Sequence, residues 1–243
     1  MKTKDFYALL IRLFLGYIFA SAGLCKLTDG QFGQLIGPPW LIKELAKYDL
    51  ELFGQFIAFS QVLVGMMVMS QRYSVLGLIM LVPVNVSILM VTISQNWKGT
   101  PYVDSVFVAL NILALLYEWK SLKFLLLPDT LEIKVPAKVN ELFPNVWWGT
   151  LGIGFGALGG LIGAWSFPAA LTFGALAFVS MYVNVFTFQS YFLLEKIILG
   201  LSGVAILTVT FAGFFQKVMM LLLGSLILLV FVLLLIRTFL HKK

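Results

Sequence analysis

The chain has one cysteine, one histidine and only 12% charged residues in 243 positions. A single cysteine, Cys25, excludes an internal disulfide and any CxxC redox pair. The lone histidine, His241, lies in the terminal tail, so a bis-histidine haem inside the apolar part of the chain is excluded and no metal centre is expected. Soluble domains carry roughly a quarter charged residues. Here charge is scarce, 60% of residues are hydrophobic and the mean hydropathy is +0.99. The formal charge of +6 does not point to nucleic acid, because Lys and Arg gather in short connections and at the ends. Membrane orientation accounts for that distribution.

What is present is a series of apolar runs of spanning length. Eight are read, at about 6–27, 51–69, 74–94, 103–118, 146–165, 168–189, 193–214 and 218–238, each long enough or nearly so to cross about 30 Å of hydrocarbon. The expected fold is therefore an all-α polytopic membrane protein of two four-helix halves, residues 1–127 and 146–243, joined by a cytoplasmic linker at 128–145. The polar stretch 119–145 around that linker carries Lys120, Lys123, Asp129, Glu132, Lys134, Lys138, Glu141 and three prolines. The connection 28–50 contains Pro38, Pro39 and Trp40 and then a short amphipathic segment suited to the interface. The first run contains Arg12 and is expected to be a retained span rather than a cleaved signal.

With eight spans, the termini and the even-numbered connections share a side. That side collects Lys2, Lys4, Arg72, Lys120, Lys123, Lys134, Lys138, Lys196, Arg237, Lys242 and Lys243, against Lys26, Lys43, Lys47, Lys98 and Lys217 on the other. The positive-inside rule then puts both termini in the cytoplasm and the chain in the inner (plasma) membrane.

Charge and amide groups inside the runs are the candidate functional residues, since such groups are costly in lipid. Arg12, Gly16, Phe19, Gly23 and Lys26 form one helical stripe, and Asp104, Asn111 and Glu118 form another with the same overall spacing. Fourteen residues of helix rise about 21 Å. Packing these antiparallel stripes predicts two ion pairs, Lys26 with Asp104 near the outer edge and Arg12 with Glu118 near the inner edge. Snorkelling to the headgroups is the alternative for Lys26 and Glu118. Asn85, two residues after Pro83, joins Gln61, Ser60, Gln55 and Asn111 as potential lining of a midplane pocket, or as plain interhelical hydrogen bonding. Asn184, Gln189, Glu195 and Lys196 gather near the inner edge of the second half. Gly152, Gly156 and Gly160 share a face that allows a neighbouring helix to approach closely. The aliphatic eighth run is expected to face lipid.

The run Arg12-Leu13-Phe14-Leu15-Gly16, with Phe19, Ala22-Gly23 and Lys26-Leu27, resembles the opening signature of the DoxX family, and Gln61, Gly65 and Gln71-Arg72 fall where that family's second span and its turn are expected. The resemblance covers about residues 6–127. Gln61 stands where family members often carry a glutamate. The resemblance implies a four-helix core and a link to quinone-coupled sulfur oxidation, thiol-stress complexes or maturation of periplasmic enzymes. On that basis the expected role is a subunit binding a quinone or similar amphipath through Arg12, Lys26, Gln61, Asn85 and Asn111, with a membrane or periplasmic protein partner. A small-solute transporter and a non-catalytic scaffold are the alternatives.

Overall fold

The computed structural model describes residues 1–126, 137–143, 147–187, 191–214 and 216–240, and among these no strand occurs. In chain order the helices are α1 (Thr3–Leu27), α2 (Leu41–Ala46), α3 (Glu51–Met69), α4 (Ser74–Ser94), α5 (Thr100–Tyr117), α6 (Trp119–Leu126), α7 (Lys138–Leu142), α8 (Trp147–Ile162), α9 (Phe167–Phe186), α10 (Leu193–Thr210) and α11 (Gln216–Leu240). Seven are long and apolar enough to cross a membrane: α1, α3, α4, α5, α9, α10 and the Leu221–Phe239 part of α11. The protein is thus a multi-pass membrane protein. The fifth expected run, 146–165, is the shorter α8, whose 16 residues rise about 24 Å. It still reaches both ends of the bundle: Gly149 lies against Ser70, and Gly160, with Gly163 just past the helix, against Leu27.

Local sequence sets the ends of these helices. Ser166 accepts a hydrogen bond from the Ala169 N–H (3.5 Å) and Pro168 follows it in the first turn, so α9 starts where a cap and a residue without an N–H coincide. Gly99, at φ +84°, reverses the chain before Pro101 opens α5.

Burial ranks the helices. The most apolar window of α1 is 83% buried and that of α11 only 11%, so α1 is the axis of the molecule and α11 faces lipid. Close packing of α1 on α3 is made possible by small residues. A Cβ on Gly16 would sit 2.6 Å from the Gly65 carbonyl oxygen, and one on Gly65 equally close to that of Gly16. On α8, Gly152 meets Met181 of α9 and Gly156 meets Met66 of α3. One apolar cluster therefore runs from Leu13, Tyr17 and Met66 in the first half to Phe178, Met181 and Ile198 in the second. A second cluster, including Leu15, Phe19, Val68, Leu81 and Phe107, lies between α1, α3, α4 and α5.

Of the polar stretch between the halves, α6 and the five-residue α7 are described; positions 127–136 and 144–146 lie outside the described residues, as do Gln189, His241, Lys242 and Lys243.

Candidate functional site

Three polar centres and one apolar groove surround α1. At the end of the bundle where α1 begins, Arg12 Nη2 donates to Glu118 Oε1 at 2.7 Å, and both side chains are fully buried. Glu118 is the residue that closes α5, so the same carboxylate also accepts the Lys138 N–H (2.8 Å) and the Val139 N–H (3.1 Å). A carboxylate at the open N–H groups of a helix start is favourable, and α7 is held to the bundle this way. Beside it, Asp5 Oδ1 accepts from Tyr117 Oη (2.7 Å) and Lys138 Nζ (2.6 Å). That hydrogen bond to Asp5 holds the Lys138 ammonium above the usual lysine range. The Arg12 guanidinium lies 5.2 Å from the centre of the Tyr117 ring. Arg12 Nε and Nη1 find no partner among the described residues.

The second centre sits on the opposite flank of α1. Both Nε and Nη2 of Arg237 donate to Glu195 Oε1, the first at 3.1 Å, and the guanidinium stacks 4.3 Å from the Phe6 ring centre. Glu195 Oε2 also accepts from the Phe192 N–H (3.1 Å) and the Met1 ammonium (3.2 Å). In sequence Glu195 groups with Asn184 and Lys196; its partner is Arg237 of α11, and no matched spacing of charges along the two helices points to that pair. Asn184 instead donates to the Ser70 carbonyl (3.0 Å), tying α9 to the end of α3.

The third centre is a cavity of about 300 Å³ at the other end of the bundle, enclosed by α1, α3, α4, α5 and the 36–40 segment. Lys26, Gln61, Thr92, Thr100 and Asp104 supply its polar side chains, and Trp40, Trp97 and Phe107 supply its aromatic wall. Lys26 Nζ donates to Gln61 Oε1 (3.1 Å) and to the Ala22 carbonyl (3.2 Å). Asp104 Oδ2 lies 3.0 Å from Thr92 Oγ1. Lys26 and Asp104 thus share one cavity without forming an ion pair. Each is met by neutral groups, whereas Arg12 and Glu118 meet directly. The Trp40 and Trp97 rings are 5.8 Å apart at the mouth. Gly37, at φ +138°, packs over Ala22 and Lys26, and Gln34 Nε2 holds its carbonyl at 3.0 Å.

Two of the candidate amides lie deeper than this cavity. Asn111, with its amide oriented to satisfy both ends, donates to the Leu78 carbonyl (3.2 Å) and accepts from the Val82 N–H (3.3 Å). It therefore braces α4 in the turn before Pro83. Asn85 is buried, and among the described residues neither its nitrogen nor its oxygen has a hydrogen-bond partner. It shares a face of α4 with Ile88 and Thr92, one turn and two turns nearer the cavity. Thr92, Trp40 and Trp97 were missed by the sequence reading. Thr92 had a signal, since it follows Asn85 by seven residues; the tryptophans had none beyond their place in loops.

Next to the polar cavity runs an apolar groove of about 450 Å³ between α1, α10 and α11, lined by residues such as Leu10, Phe14, Tyr17, Val209, Val230 and Leu234. The two spaces adjoin. Ile18, Ile36 and Phe107 line the cavity, while Tyr17, Leu35 and Leu110 line the groove. Phe107 separates them, its ring 5.9 Å from that of Phe14.

Among the described residues no cluster of metal-ligating side chains occurs. Comparison of the chain with protein-family models, with curated proteins and with solved structures returns no match.

Proposed function

We propose that this protein binds an amphipathic small molecule at the outer edge of the membrane, head in the Lys26–Gln61–Asp104 cavity and tail in the groove along α1. The observation that carries this reading is the adjacency of the two spaces: a small polar chamber against Ile18, Ala22 and Lys26 of α1 lies beside a largely apolar groove that continues along α1 from Tyr17 to Tyr7. Pockets with apolar walls and a few convergent polar groups are the usual form of a ligand site. From Tyr17 back to Tyr7 the groove follows ten residues of α1, a depth of about 15 Å, which suits a hydrocarbon tail.

A quinone is the occupant suggested by the DoxX-like motif. Lys26 and Gln61 would donate to its carbonyl oxygens, and electrons would come from a partner of the complex. Transport across the membrane is less well supported. Leu15, Phe19, Leu81 and Phe107 pack together between the cavity and the Arg12–Glu118 pair, so the polar stripe of α1 is interrupted by core. The cytoplasmic placement of both termini rests on Lys2, Lys4, Arg72, Lys120, Lys123, Lys138 and Lys196 lying at the end of the bundle away from the cavity.

The test is mass spectrometry of small molecules extracted from gently purified protein. The wild type is expected to retain an amphiphile that a Lys26→Ala, Gln61→Ala double variant loses. An equal amount of the same amphiphile in both samples would sink the assignment of the head site.

A further inference from the structure

The polar cavity contains a cation and an anion that do not touch. Lys26 and Asp104 are each 5% exposed, and both face the same space of about 300 Å³. Lys26 is met by a carbonyl and an amide oxygen, both neutral. Asp104 has the Thr92 hydroxyl on Oδ2, and among the described residues no other donor reaches its carboxylate. Opposite charges in a poorly solvated site normally close on one another, as Arg12 and Glu118 do at the other end of the same two helices. Here the 36–40 segment, Gln61 and Phe107 share the space with them, and an open gap remains.

A gap with a cation on one side and an anion on the other is complementary to a dipole of opposite sense. A neutral carbonyl head uses the donors Lys26 and Gln61 and leaves the Asp104 carboxylate unanswered. An anionic head gains Lys26 and is repelled by Asp104, so it is selected against. A head that carries both an ammonium and an anionic group satisfies both. Trp40 and Trp97 strengthen the choice, because indole rings at the mouth can also hold an ammonium by its charge. The position fits as well: Lys26 is in the last turn of α1, at headgroup level.

We infer that the site takes a zwitterionic head group, an ammonium seated at Asp104 and a phosphate or carboxylate seated at Lys26. This inference rests on the reading of the cavity as a head-group site. The adjoining apolar groove makes a zwitterionic phospholipid the expected carrier of that head, in preference to a free soluble zwitterion.

The test titrates the full chain in detergent with phosphatidylethanolamine, phosphatidylglycerol and a long-tailed quinone, read by native mass spectrometry, with soluble phosphoethanolamine as competitor. Phosphatidylethanolamine is expected to bind about tenfold more tightly than the other two, the effect of one charge-assisted hydrogen bond. Asp104→Asn keeps the side-chain volume and the Thr92 contact, and is expected to abolish that preference while phosphatidylglycerol binding holds or rises. Lys26→Met is expected to weaken both phospholipids. Full competition by phosphoethanolamine would assign the head chemistry to a soluble zwitterion, and no competition would assign it to the lipid. If phosphatidylglycerol or quinone binds as well as phosphatidylethanolamine, or if Asp104→Asn leaves the preference intact, the zwitterion inference is overturned and the amphipath reading survives. If none of the three amphiphiles binds, that reading falls too.

Discussion

Arg12 and Arg237 are among the largest fully buried side chains in the protein, and each is neutralised by one glutamate that has further duties. Glu118 holds Arg12 and the first two N–H groups of α7; Glu195 holds Arg237, the Phe192 N–H and the Met1 ammonium. Removing one member of a buried ion pair leaves the other charged and unsolvated, at a cost of about 3–5 kcal/mol. Glu118→Gln is therefore expected to lower thermal stability in detergent by about that amount. Arg12→Met is expected to be comparably harmful, and the Arg12→Met, Glu118→Gln double variant to lose less than the sum of the two. Strict additivity in a double-mutant cycle would show that the pair is not energetically coupled. The Lys26–Asp104 site differs in kind. Its charges face a space rather than each other, so neutralising one of them should alter ligand choice more than stability.

At the scale of helices, the central packing is a matter of missing side chains. Gly16 of α1 and Gly65 of α3 let two backbones meet, and a Cβ on Gly65 would come within 2.5 Å of the Ala20 nitrogen, a backbone atom that cannot swing aside. Gly65→Ala is expected to destabilise the bundle by about 1–3 kcal/mol, the usual cost of overpacking. Gly154, whose added Cβ would meet nothing within 4 Å, provides the control: Gly154→Ala should be neutral or slightly stabilising. Equal melting temperatures for the two variants would contradict the close contact. The same scale explains Asn111. Proline at position 83 cannot donate, and it disturbs the ladder of α4 around it. Asn111 reaches from α5 to the Leu78 carbonyl and the Val82 N–H and steadies that turn. It was a ligand candidate by composition, and it is a brace by position.

For the molecule as a whole, α8 is the element on which topology turns. With it, Met1, Ser70, Glu118, Lys138, Glu195 and Arg237 lie at one end of the bundle, and the polar cavity opens at the other. The orientation is testable with single cysteines in a Cys25→Ser background, since Cys25 is buried. Lys98→Cys should react with an impermeant maleimide on intact cells, and Lys120→Cys only after permeabilisation; both positions are exposed. The reverse pattern would invert the protein, and with it the side from which the cavity is reached.

Much of this organisation was legible beforehand, and the reasons are specific. Apolar runs near twenty residues long determine helices in lipid, because no other local structure satisfies the backbone there. The fourteen-residue spacings in α1 and α5 determined which charges share a stripe, because helix periodicity is a local property. What tertiary structure alone decided is which stripes meet, and at what distance. It joined Arg12 to Glu118 but held Lys26 and Asp104 apart around a cavity. It also found Glu195 a partner in Arg237, brought Thr92, Trp40 and Trp97 to one site, and laid an apolar groove beside it. Those outcomes depend on how far each backbone can approach its neighbour and on what loops fold over the ends. Both are set by packing between residues far apart in the chain, which spacing along a single helix does not encode.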